Sequence, residues 1–176
     1  MERKYAWHNY DDATMEKVYA LSDTYRQFLD NGKTERECVV QAVELAETKG
    51  YVNLNDIIKS NTSIKAGDKI YYTHMDKSIA LFNIGTDDIE LGMNILGAHI
   101  DSPRIDVKQN PQYEDSNLVF WDTHYYGGIK KYHWVAMPLA IHGVVVKTDG
   151  TRININIGDK ESDPVFCITD LLPHLG

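Results

Sequence analysis

Cysteine is scarce in this chain of 176 residues, with only Cys38 and Cys167. Two cysteines cannot build a disulfide framework, and neither has the partner spacing of a metal or redox motif. Both read as reduced thiols in a cytosolic protein. Basic charge is also in short supply: 18 Lys and Arg stand against 26 Asp and Glu, a formal net charge of −8. No basic stripe is present, so binding driven by nucleic-acid phosphates is not expected. Long apolar runs are missing as well. The mean hydropathy is −0.40, and no run approaches the ~20 residues of a membrane helix. Met1 to Trp7 is polar and shows no secretory signal. There is no internal repeat and no low-complexity tract. What remains is ordinary for a globular chain: 43% hydrophobic and 25% charged residues, enough for one domain with a core or two small ones.

The first part reads as two helices. Over 13–30, Met15, Val18, Tyr19, Leu21, Tyr25, Phe28 and Leu29 recur near helical spacing, and Asn31-Gly32 stops the run. Over 34–49, Thr34 and Glu37 have the spacing of a capping box, in which each side chain satisfies an orphan backbone N–H. Val39, Ala42, Val43 and Ala46 form the buried stripe and Gly50 closes the helix. The period then changes. Gly67-Asp68 marks a turn, and Ile70–Tyr72 and Ser78–Ile84 read as strands. Met93–Ala98 reads as a short strand buried on both faces. Helices followed by strands suggest an α/β layer around one sheet.

Beyond Pro103 no long helical pattern appears. Ile105 and Val107 alternate with polar residues, and Leu118–Trp121 is a strand candidate. Trp134 to Lys147 is apolar, with Pro138 interrupting it. Thr151–Ile157 alternates strictly, and Lys147-Thr148-Asp149-Gly150 before it is a hairpin turn. The boundary is placed at 103: an α/β part over residues 1–103, then a β-rich part over 104–176.

The sharpest chemical candidate is Gly97-Ala98-His99-Ile100-Asp101-Ser102-Pro103. His99 lies where a strand runs out, and ligands of α/β sheets gather at the carboxyl ends of strands. His99 and Asp101 are two apart, so in extended chain they share a side. That suits a metal-bound imidazole whose other ring nitrogen donates to a carboxylate, which fixes the tautomer. A ligand set needs three or four members. Otherwise the two residues are a hydrogen-bonded pair in a loop.

His74, His124 and His133 fit surface or subunit-contact roles better than ligand roles, and His142 fits a satisfied core or interface histidine. Gly127-Gly128 is not followed by Gly-Lys-Ser/Thr, so a tight backbone bend explains it better than a phosphate loop. Asp87, Asp88 and Glu90 read as a solvated loop, and Cys38 as buried in the second helix. Phe120, Trp121, Tyr125, Tyr126, Tyr132 and Trp134 suit either a core or a subunit interface.

The segment Gly97–Pro103 followed by Arg104-Ile105-Asp106-Val107-Lys108 resembles the aspartyl-aminopeptidase-type family of dinuclear zinc aminopeptidases. Phe28-Leu29-Asp30 with Lys33–Glu37 is similar to that family's N-terminal helix pair. Tyr125–Ile129, Pro138–Val146 and Leu171–Leu175 are similar to its inserted domain. The likeness runs from about residue 25 onward. It implies a zinc-peptidase-like α/β sheet domain, incomplete here, with an inserted β-rich lid and dimerisation domain, also incomplete.

The resemblance further implies an enzyme that releases N-terminal residues from peptides with two zinc ions, some members favouring acidic and others neutral residues. His99 would be a zinc ligand and Asp101 the acid that orients it. A homo-oligomer is implied, a dimer or a larger assembly such as a dodecamer. In the family pattern the other ligands and the general base lie downstream of the insert. On that basis the 176 residues carry one ligand and are expected to be inactive alone, and to oligomerise or be poorly soluble. His174 receives no active-site role. Family members often place a Trp-rich stretch and an Asp-Arg pair after the glycines, where this chain has Lys130–Met137. The alternative function is a non-catalytic subunit-assembly module.

Overall fold

The structure is a computed structural model that describes residues 5–135 and 137–175. Part of the Met1–Trp7 stretch, Ala136 in the apolar stretch after Trp134, and Gly176 lie outside the described residues. The chain divides into two compact units, Met1–Ile100 and Asp101–Gly176.

In the first unit, α1 spans Asp12–Asn31 and α2 spans Glu35–Thr48. The Asp11 side chain caps α1 by accepting the Thr14 N–H at 2.9 Å, and hydrogen bonding from the Thr14 side chain, then from its N–H, holds the Asp11 carboxyl below the usual range. The capping box on α2 is present in full: Thr34 accepts from the Glu37 N–H, and Glu37 accepts from the Thr34 N–H. Gly32 ends α1, though at φ −115° and not in the left-handed region. Its need for glycine is spatial. A Cβ there would stand 2.7 Å from Cys38 Sγ and 3.0 Å from the Phe28 carbonyl oxygen.

Two short elements escaped the sequence pattern. They are β1 (Val52–Asn53) and α3 (Leu54–Lys59), the latter capped by the Asn53 side chain. They are too brief for periodicity to register. β2 (Lys69–His74) and β3 (Ser78–Asn83) follow as expected. β1 pairs parallel with β2, and β2 pairs antiparallel with β3. The β2–β3 turn places Met75 and Asp76 at φ +52° and +56°, as a two-residue primed turn requires, without the usual Asn-Gly. Arg36 of α2 reaches this turn, donating to the Met75 carbonyl at 2.9 Å.

α2 packs on β2 and β3. Among the described residues the buried apolar ones are Cys38, Val39, Ala46, Ile70 and Tyr71, all in this unit. Ala42 and Val43, expected in the stripe, are half-buried. The Tyr71 hydroxyl donates to Glu47 at 2.7 Å; that bond and burial push its ionisation upward. Burial also raises the Cys38 thiol, with Glu37 and Glu35 adding to it, whereas Cys167 is exposed. A thiol reagent is therefore expected to modify Cys167 at least ~10-fold faster than Cys38. Peptide mass spectrometry after brief exposure reads this directly. Equal rates would mean that the α2–sheet packing opens readily.

The second unit holds β4 (Arg104–Asp115), β5 (Leu118–Tyr126), α4 (Lys131–Trp134), β6 (Ile141–Val146) and β7 (Arg152–Ile157). β4 and β5 form an antiparallel hairpin whose register shifts between Val107 and Gln112. Pro111 lies inside that irregularity, where its missing N–H breaks no ladder bond. β6 and β7 form a second hairpin, closed by the expected turn with Gly150 at φ +85°. Leu139 and Phe166 exchange backbone bonds of 2.8 and 2.9 Å. The Phe166 ring lies 5.2 Å from that of Trp121.

One expectation about the sheet fails. Met93–Ala98 is neither a strand nor buried among the described residues, and Leu96 is fully exposed. A strand needs a ladder partner and a doubly buried strand needs layers on both faces. The first unit provides neither to this segment.

Candidate active-site segment

His99 lies one residue before the end of the first unit, which closes at Ile100, and Asp101 opens the second. His99 is exposed and Asp101 is half-buried. Around Asp101 the second unit builds a polar cluster. The β4–β5 register sets Arg104 opposite Tyr126. The Tyr126 hydroxyl donates to Asp101 Oδ2 at 2.7 Å. The Arg104 guanidinium lies 4.1 Å over the Tyr126 ring, and its Nε donates to Asp106 at 2.7 Å. Gly127 turns the chain at φ +73°, with the position of a Cβ only 3.4 Å from Pro103 Cα. The bend expected of Gly127-Gly128 is thus real, and it lies against the segment that carries Asp101.

Chemically, this cluster fixes a carboxylate in direction. An O–H donor on one oxygen orients the group. A carboxylate so held is an acceptor for an N–H such as that of an imidazole. Sequence reasoning named Asp101 but missed Tyr126 and Arg104 as its support. Only the hairpin register brings residue 126 to residue 101, and no local motif announces it.

The other histidines follow their sequence readings. His74, His124, His133 and His174 are exposed. The His142 side chain is 9% exposed and its Nε2 lies 3.0 Å from Asp159 Oδ1, while Asn156 donates to the other oxygen at 2.8 Å. Among the described residues no group of three or more His, Cys, Asp or Glu side chains could hold a metal ion. The donor set present therefore does not make a zinc site, and no catalytic step through zinc follows from these residues alone.

Fold and site together define a mixed chain of helices and sheets, with a His-x-Asp segment in the sequence where one unit ends and the next begins. Comparison with known proteins narrows this class. Residues 28–176 match the model of the aminopeptidase I zinc metalloprotease (M18) family. A probable M18 family aminopeptidase 1 of Clostridium acetobutylicum is 52% identical over 174 residues, covering 99% of this chain and 37% of the relative. The aminopeptidase I crystal structure from Borrelia burgdorferi B31 superposes with a TM-score of 0.86 at 41% identity, covering 97% of this chain and 41% of that one. The M18 aminopeptidase structure from Thermotoga maritima gives a TM-score of 0.86 at 46% identity, covering 99% and 37%.

The chain belongs to the M18 family, a family of zinc metalloproteases. It spans 37% of the length of the first curated relatives it matches.

Proposed function

We propose that this chain supplies the N-terminal part of a metalloaminopeptidase that releases N-terminal residues from peptides at a two-zinc site. The observation that carries this reading is the family match over 28–176. His99 is assigned one zinc ligation and Asp101 the orientation of its imidazole. The carboxylate hydrogen-bonded by Tyr126 supports that role. The remaining ligands and the general base come from polypeptide outside the 176 residues, consistent with the lack of any three-donor cluster among the described ones. The chain alone is therefore inactive. Residues 1–103 form part of the catalytic α/β domain and 104–176 part of an inserted dimerisation or lid domain. The working assembly is a dimer-based homo-oligomer in the cytoplasm, in keeping with two unpaired cysteines. No described helix is long and apolar enough to cross a membrane.

A second reading, a non-catalytic assembly module, is favoured by the exposed side chains of the β4–β5 hairpin, among them Tyr113, Val119 and Tyr125. Such residues are enriched in subunit contacts.

Zinc analysis and peptide hydrolysis separate the two. The 176 residues are expected to hold little zinc and to leave leucyl and aspartyl peptides intact. A longer product continuing this sequence is expected to hold about two zinc ions per chain and to hydrolyse them. A longer product without zinc and without turnover would favour the assembly module.

A further inference from the structure

Tyr126 is the last residue of β5 and pairs with Arg104, the first of β4. That pair closes the base of the hairpin, where the chain has just left Asp101. There the Tyr126 hydroxyl donates to Asp101 Oδ2 at 2.7 Å, the length of a well-made O–H···O bond. The backbone is fixed on both sides of that bond. Gly127, next to Tyr126, passes so close to the other segment that a Cβ would stand 3.4 Å from Pro103 Cα, and the ring of Pro103 locks its own φ.

The Tyr126 ring carries a cation on its face. The Arg104 guanidinium lies 4.1 Å over the centroid, well inside the ~6 Å reach of a cation–π contact. Asp106 helps to keep it there, accepting from Arg104 Nε at 2.7 Å, and the Arg104 side chain is only 28% exposed. A cation over the ring draws π-electron density toward itself, which leaves the phenolic O–H a stronger donor. Phenylalanine at 126 would fill the same space and keep the cation in contact. The hydroxyl itself serves Asp101. A hydrogen bond so near the surface adds little to stability, but it sets the direction of the carboxylate.

We propose that Tyr126 is a positioning residue that aims the Asp101 carboxylate, and that Arg104 strengthens its hold by acting through the ring. This rests on the reading above in which Asp101 orients the His99 imidazole, and it extends that chain of contacts into the β4–β5 hairpin. A bond that merely closed the hairpin would affect folding and leave turnover per folded molecule unchanged.

The test is made in a longer product that continues this sequence. Loss of a group that holds a ligand directly costs roughly 10- to 100-fold, so Tyr126→Phe, one link further out, is expected to lower kcat about 5-fold. KM should stay within about 2-fold, since no substrate contact is removed. In an Asp101→Ala background Tyr126→Phe should add less than about 2-fold, because the group it acts through is gone. Arg104→Gln should lower kcat about 2-fold, and by no further factor once residue 126 is phenylalanine. Thermal melts and active-fraction counts correct each value for folding. In the 176 residues, 3-fluorotyrosine at position 126 reports the bond without turnover: Asp101→Ala is expected to shift its fluorine resonance. Parental kcat in Tyr126→Phe, losses that simply multiply in the double variants, or a fluorine resonance indifferent to Asp101→Ala would each overturn the proposal. A parent that neither holds zinc nor hydrolyses peptides would remove the peptidase reading, and this role with it. An active parent with an indifferent Tyr126→Phe variant would remove this role alone.

Discussion

Replacing Gly158 with alanine is expected to unfold the β6–β7 region of the second unit. Gly158 has φ +109°, and an added Cβ would meet Ala140 Cα at 2.9 Å, Ala140 Cβ at 3.0 Å and the Leu139 oxygen at 3.4 Å. The first of these is backbone and cannot swing aside. Backbone strain at such a φ costs about 1–3 kcal/mol, and overpacking adds about 1–3 kcal/mol. The damage would spread, because Leu139 exchanges backbone bonds with Phe166 and the Gly158 N–H is donated to Asp163. Among the described residues none of the buried apolar ones belongs to this unit, so little reserve opposes the loss. Limited proteolysis of residues 139–166 should accelerate sharply. Gly143→Ala is the control. It lies in β6 with nothing within 4 Å of its Cβ position and no positive φ, and should shift stability by no more than about 0.5 kcal/mol. Equal protease resistance of the Gly158→Ala variant and the parent would refute the packing described.

His99→Ala, made in a longer product that continues this sequence, is expected to remove about one zinc ion per chain and to cut peptide hydrolysis by a factor on the order of 10³ or more. Asp101→Asn should cost less, roughly 10- to 100-fold, since it changes how an imidazole is held and not whether one is present. In the 176 residues alone neither substitution should alter zinc content, because no three-donor cluster exists among the described residues. Plasma emission spectroscopy for zinc and a leucyl-peptide assay on the same samples decide the matter. Undiminished zinc and turnover in the His99→Ala protein would remove the ligand assignment.

The local elements were legible because their causes are local. The capping box at Thr34 and Glu37, the helix over 12–31, the alternation of 151–157 and the Asp149-Gly150 turn are each set by residues within a few positions. The turn at Met75-Asp76 was not legible, since methionine does not favour positive φ, no glycine marks the pair, and the hairpin imposes the conformation. Gly32 read as a conformational stop, but its demand is steric and comes from Cys38, six residues on. Met93–Ala98 was misjudged for a related reason. Its apolar composition announces burial, yet burial requires neighbours, and the described residues contain none for it.

By itself the sequence determined the two helices, most of the strands and the His99-Ile100-Asp101 segment, because periodicity, caps and motif spacing are written along the chain. Tertiary structure alone decided that Tyr126 holds Asp101 while Arg104 lies over the Tyr126 ring, and that His142 is satisfied by Asp159. Those pairings join residues 17 to 25 positions apart, and only strand register, a property of two segments at once, brings such side chains within hydrogen-bonding distance.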